Sequence, residues 1–83
     1  MFQIKFLKEE NRAVVYNNEN EIGTCLFKEQ EDTWNIIHTV VKSEYQGQGI
    51  ARNLVNCVQE NALKYKKKLI ATCSYAKKVL ELK

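Results

Sequence analysis

Two glycines one residue apart stand in the segment Gln46-Gly47-Gln48-Gly49-Ile50-Ala51, directly ahead of a stretch with helical periodicity. Glycine lets a backbone come close to a bulky group with no Cβ in the way, and a helix N-terminus aims free N–H groups outward. Together these features suit an anion, with a pyrophosphate as the natural occupant. The competing reading is an ordinary tight turn, in which the glycines serve only the chain reversal.

Cys73 is the second residue with chemical promise. It ends a short apolar run and precedes Ser74, a residue suited to opening a helix. A helix N-terminus there, with Lys77 and Lys78 close behind, favours the thiolate, which is the nucleophilic form of a cysteine. The alternative is a small buried hydrophobe, and Cys25 and Cys57 are read that way. Three cysteines at wide spacing without a CxxC pair argue against a disulfide framework and a metal site, and are expected to be reduced thiols. His38, the one histidine, is either a general base or a hydrogen-bonded core residue between Ile36 and Val40. It falls three residues, roughly 10 Å, short of the end of its strand if that strand is regular.

The elements that must position these groups follow from periodicity. Phe2, Ile4 and Phe6 alternate with polar neighbours, and the β-rich stretches 12–16 and 21–27 flank the turn signal Asn17-Asn18-Glu19-Asn20. Residues 33–41 form the clearest strand, with Trp34, Ile36, His38 and Val40 expected on one face and Ile37, Thr39 and Val41 on the other. Both faces are largely apolar, which predicts a central strand. Ile50, Ala51, Leu54, Val55, Val58, Ala62 and Tyr65 recur at helical spacing over about four turns. Residues 69–73 predict a short buried strand, and a last helix follows from Ser74. The order β-β-β-β-α-β-α contains a βαβ unit whose strands run parallel, so the fold class is α/β with a mixed sheet of about five strands. In such sheets ligands settle beyond the carboxyl ends of the strands, where both the glycine loop and Cys73 fall.

Length and charge bound the rest. A chain of 83 residues fits one domain, spanning residues 1–83, and buries about 60 to 65% of its unfolded surface. With 45% hydrophobic residues and eight aromatics (four Tyr, three Phe, one Trp) it supports a core. No apolar run has the length of a membrane span and the start alternates like a strand, so a soluble cytoplasmic protein is expected. The net charge of +3 and the run Lys64, Lys66, Lys67, Lys68 read as a solvated surface, or as an attraction for a polyanion if they border the glycine loop. No basic stripe interleaved with aromatics supports nucleic-acid binding.

The loop resembles the acyl-CoA signature of the GNAT superfamily of N-acetyltransferases: Gln or Arg, two residues, Gly, one residue, Gly or Ala, between a strand and a helix. Gln46 to Ala51 fits that signature, and the likeness of the cofactor-binding half covers Trp34 to Cys73. His38-Thr39-Val40-Val41, Gln46 to Arg52 and Thr72-Cys73-Ser74-Tyr75 further resemble a compact, single-domain GNAT subfamily across the whole chain. The resemblance implies a minimal GNAT fold with acetyl-CoA as acyl donor. It implies a pyrophosphate held by the amides of Gln46, Gly47, Gln48, Gly49, Ile50 and Ala51, and a pantetheine arm along Val40 and Val41. It also suggests Cys73 as an acetyl-accepting nucleophile and Tyr75 as a proton donor to the departing sulfur. Lys77 and Lys78 are candidates for pairing with the phosphates.

The chain departs from that family in two ways. Most members are nearly twice as long, the missing part being the N-terminal half that helps build the acceptor site. Many carry a Glu base on the strand matching residues 33–41, where this chain has no carboxylate. Three readings stay open: transfer to an amine through Cys73, with His38 as a second candidate residue; direct attack with solvent taking the proton; or acyl-CoA binding or protein interaction without turnover. The acceptor, small molecule or protein, is not named by the sequence, and a monomer or weak dimer is expected.

Overall fold

The computed structural model describes residues 2–81. Five strands lie in sequence order across one sheet: β1 Phe2–Leu7, β2 Arg12–Asn17, β3 Asn20–Gln30, β4 Thr33–Val41 and β5 Lys68–Ala71. The first four pair antiparallel and β5 joins β4 in parallel, the mixed sheet expected from the crossover through α1 Ile50–Lys64. A short helix, α2 Ser74–Glu81, follows β5.

The local reasons are visible in the sequence. Asn18 takes the left-handed conformation at the β2–β3 turn, φ 60°, where asparagine is well tolerated. Helix α1 buries Ile50, Leu54, Val55, Val58 and Ala62 of the stripe that its periodicity marks, while Ala51 is partly buried and Tyr65 falls just past the helix end, exposed. It closes with Lys66 in the left-handed region and the Lys67 N–H donating to the Ala62 carbonyl at 2.8 Å. Both helices pack on one face of the sheet, where Ala13, Val15, Cys25, Phe27, Trp34 and Ile36 join Leu54, Val58, Ala76 and Val79 in one core. Trp34 anchors it: its ring stacks on Phe27 at 4.3 Å and lies 5.8 Å from Phe6 and 5.6 Å from Tyr65.

Two expectations are corrected, and one open alternative, for the lysine run, is decided. Strand β4 does not keep one phase. Leu26 pairs with His38 but Phe27 pairs with Ile36, so β4 holds one extra residue, Ile37. A bulge of this kind rotates the following side chains to the opposite face. Trp34 and Ile36 therefore share the helix-covered face with Thr39 and Val41, whereas His38 and Val40 are exposed on the other side. Strand β5 is a half-exposed edge, with Ile70 50% accessible, because it pairs on one side only and is four residues long. Cys73 lies beyond it, not within it. Finally, the lysine run belongs to the end of the sheet away from the glycine loop. Lys67 pairs with Glu29 at 3.4 Å and Lys68 with Asp32 at 3.9 Å, the first acid near the end of β3 and the second in the β3–β4 turn.

Gly23 is where β2, β3 and β4 come closest. A Cβ there would sit 3.0 Å from Val15 Cγ1, 3.0 Å from the Val40 carbonyl oxygen and 3.1 Å from Val41 Cγ2. The second contact is backbone and cannot rotate away. Gly23→Ala is expected to lower stability by about 1–3 kcal/mol, measured by urea unfolding, since an overpacked sheet must move a strand to relieve the clash. A change below about 0.5 kcal/mol would show that β4 yields freely at this point.

Candidate active site

The C-terminal end of β4 opens into a cleft of about 620 Å³. Its floor is the strand itself, Thr39 to Val41, and its rim is the loop that follows. After the short 3₁₀ turn Ser43–Tyr45, the Gln46 side-chain amide donates to the Val41 carbonyl at 3.0 Å, tying the loop back to the strand that it leaves. Tyr45 is fixed from below by Asn17, whose amide donates to its hydroxyl at 3.1 Å, and by the edge of Phe2.

Gly47 and Gly49 have φ of 84° and 79°, the left-handed region that a side chain resists. A Cβ on either would meet no protein atom within 4 Å, so the backbone conformation, and not crowding, calls for glycine. Gly49 is the N-cap of α1 and supplies no side-chain cap. The first intrahelical bond runs from the Asn53 N–H to the Gly49 carbonyl at 3.1 Å, leaving the amides of Ile50, Ala51 and Arg52 without an intrahelical acceptor. No acidic residue stands in the first turn, and Arg52 lines the cleft. Open amides, the positive end of a helix and a guanidinium on one rim fit an anionic group.

The opposite wall is set by the parting of β4 and β5. The two strands pair only from Thr33 to Ile36 on β4, and the N–H groups of Thr72 and Cys73 both donate to the Ile36 carbonyl, at 3.0 and 3.2 Å. Beyond that point the β5-facing edge of β4 has no strand partner, and α2 begins instead. Cys73 caps α2, its carbonyl accepting from the Lys77 N–H at 2.9 Å. Its thiol donates to the Thr39 hydroxyl at 3.7 Å, and that hydroxyl donates to Cys25 Sγ at 3.5 Å.

Partial burial pushes the Cys73 thiol up. The Ala76 amide, the Thr39 hydroxyl, the Tyr75 amide and the Thr39 backbone more than offset it, and the thiol settles below its ordinary range. The other two cysteines go the other way. Burial drives Cys25 up to about 11, despite its bond to Thr39, and burial followed by the charge of Glu60 raises Cys57. The three thiols thus differ in environment: Cys73 meets hydrogen-bond donors, and Cys25 and Cys57 are governed chiefly by burial.

Of the residues expected at a cofactor site, Val40, Val41, Gln46, Gly47, Gly49, Ile50, Ala51 and Tyr75 line the cleft. Gln48 sits at the exposed tip of the loop, and Lys78 is exposed on α2 outside the lining. His38 faces away from Thr39 and is not brought to Cys73. Thr39, Tyr45 and Arg52 were not among the expected site residues. Arg52 was findable as the third residue of a helix whose first turn lacks acids. Thr39 was not, because its orientation depends on the bulge. Among the described residues no cluster of His, Cys, Asp and Glu is arranged for a metal ion, and no helix is long and apolar enough to cross a membrane.

Comparison with known proteins agrees with this architecture. An NMR structure of a GCN5-like protein from Staphylococcus aureus superposes with a TM-score of 0.74 at 33% identity, over 96% of this chain and 78% of that one. A GCN5-related N-acetyltransferase from Sphaerobacter thermophilus gives a TM-score of 0.70 at 22% identity, covering 75% of this chain. N-acetylglutamate synthase from Neisseria gonorrhoeae, complexed with coenzyme A and N-acetyl-glutamate, gives 0.68 at 18% identity over 80% of this chain. The chain spans 21% and 17% of the length of the last two, a likeness of fold alone. No curated protein matches this chain. The sequence model of the GCN5-related N-acetyl-transferases matches residues 12–83, and with the Staphylococcus aureus likeness it establishes that the chain belongs to that family.

Proposed function

We propose that the cleft binds acetyl-CoA and that the protein transfers the acetyl group to an amine by way of Cys73. The observation that carries this reading is the placement of an anion-suited loop at the end of β4 and, just behind the cleft lining, of the Cys73 thiol hydrogen-bonded to Thr39, which lines that cleft. The amides around Gly47 and Gly49, with Arg52, take the pyrophosphate. The edge of β4 near Val40 and Val41 has no strand partner on the β5 side, and its backbone at Val41, whose carbonyl also accepts from Gln46, is offered to the amides of the pantetheine arm. The coenzyme A held by the Neisseria gonorrhoeae structure supports the choice of ligand.

When bound, acetyl-CoA supplies an acetyl group activated as a thioester. Cys73 Sγ, as thiolate, attacks the carbonyl carbon; its carbon–sulfur bond forms as the bond to the coenzyme sulfur breaks, and the departing thiolate takes up a proton. Tyr75, at 43% exposure on the same wall, is the proton donor in reach of the cleft. An amine then attacks acetyl-Cys73, losing a proton to solvent and releasing the thiolate. No Asp or Glu among the described residues lines the cleft, which favours this two-step route over a carboxylate base. His38, on the far face of β4, has no part in it.

Calorimetric titration of acetyl-CoA is expected to show saturable binding that Gly49→Arg weakens at least about tenfold, with circular dichroism confirming that the variant is folded. No binding by the unaltered protein would remove the acetyl-CoA reading. Incubation with acetyl-CoA is then expected to add one acetyl group by intact mass, which Cys73→Ser abolishes while binding persists. Binding without the adduct in the unaltered protein would leave a coenzyme-binding domain with direct transfer or none.

A further inference from the structure

The Thr39 hydroxyl lies between two thiols of opposite character. Thr39 pairs across the sheet with Cys25, and the phase change at Ile37 turns its side chain to the helix-covered face, where Cys73 comes within 3.7 Å and Cys25 within 3.5 Å. A hydroxyl has one proton to donate, so it serves one sulfur at a time. With Cys73 protonated, the thiol donates to Thr39 and Thr39 donates to Cys25.

Ionisation of Cys73 reverses this preference. The Cys73 sulfur can no longer donate and becomes an anionic acceptor, which draws a hydroxyl proton more strongly than a neutral thiol does. Cys25, fully buried, stays protonated and does not compete for charge. Rotation of one hydroxyl about its C–O bond accomplishes the change with no backbone movement. The Cys25 thiol is then free to donate to the Thr39 oxygen, lining up three groups toward the charge.

We propose that Thr39 is a positioning residue for Cys73, its hydroxyl turning from Cys25 to the Cys73 thiolate whenever that thiolate forms. In the two-step transfer proposed above, on which this use of the device rests, the thiolate forms twice: before attack on the donor and again as the acetyl group leaves for the amine. The acetylated sulfur between those events is a weak acceptor, and the hydroxyl returns to Cys25. Thr39 thus holds Cys73 as a nucleophile and as a leaving group, and touches neither bond that is made or broken.

The test is the pH profile of Cys73 alkylation by iodoacetamide, followed by peptide mass spectrometry so that Cys25 and Cys57 are counted apart. No acetyl-CoA is needed. Thr39→Val removes the donor and leaves the thiolate less stabilised, so the profile moves to higher pH and alkylation at pH 7 slows about tenfold. Thr39→Ser keeps the donor and is expected to retain the starting profile. Coincident profiles for Thr39→Val and the unaltered protein overturn the proposal, as does a Thr39→Ser profile shifted as far as that of Thr39→Val, since loss of the methyl contact would then be the cause. The outcome is independent of acetylation: a shifted profile with no acetyl adduct sustains the role of Thr39 while the covalent route fails, and an adduct with coincident profiles does the reverse.

Discussion

One extra residue in β4 decides what the cleft can contain. Side chains on a strand alternate with a period of two, so an insertion exchanges the faces of everything that follows. Before Ile37 the strand feeds Trp34 and Ile36 into the core; after it Thr39 and Val41 take that side, and His38 and Val40 turn outward. Without the bulge a histidine and a valine would face the helices where a hydroxyl now stands beside Cys73. Each bulge also bends its strand and increases its twist, in keeping with the parting of β4 from β5 after Ile36 that leaves room for a ligand.

The two ends of the sheet divide the work. At the Thr33 end, β4 is paired on both sides, the rings of Phe6, Phe27, Trp34 and Tyr65 form one connected cluster, and Lys8 and Lys67 flank Glu29. The hydrogen bond from Lys8, followed by Trp34 and Lys67, holds the Glu29 carboxyl below its usual range. At the Val41 end, pairing stops on one side, open amides face outward and the glycines adopt conformations stabilised by no side chain. A domain this small has little surplus stability, and concentrating the tight packing at one end lets the other stay open.

The electrostatics of the open end are equally economical. The start of α1 leaves its first amides open at the loop, whereas the start of α2, which reaches the same cleft through Tyr75, turns its Tyr75 and Ala76 amides onto the Cys73 sulfur. Those donors lower the Cys73 thiol alone among the three. Cys25 and Cys57 lie within a strand and a helix whose amides are engaged elsewhere, so burial dominates, opposed by Thr39 at Cys25 and reinforced by Glu60 at Cys57.

The sequence by itself determined the element order, the amphipathic face of α1, the parallel crossover and the glycine loop, because each rests on local periodicity or on a backbone conformation that few residues adopt. It also marked Cys73 as the thiol to watch, from its position ahead of a helix start. Tertiary structure alone decided which side of β4 each residue after Ile36 faces, since the bulge arises from register against β3 and leaves no composition signal. It decided that β5 is a half-exposed edge, that the lysine run belongs to the far turn, and that Thr39 and not His38 meets Cys73. These are long-range pairings, set by how strands distant in the chain align, and no window of neighbouring residues contains them.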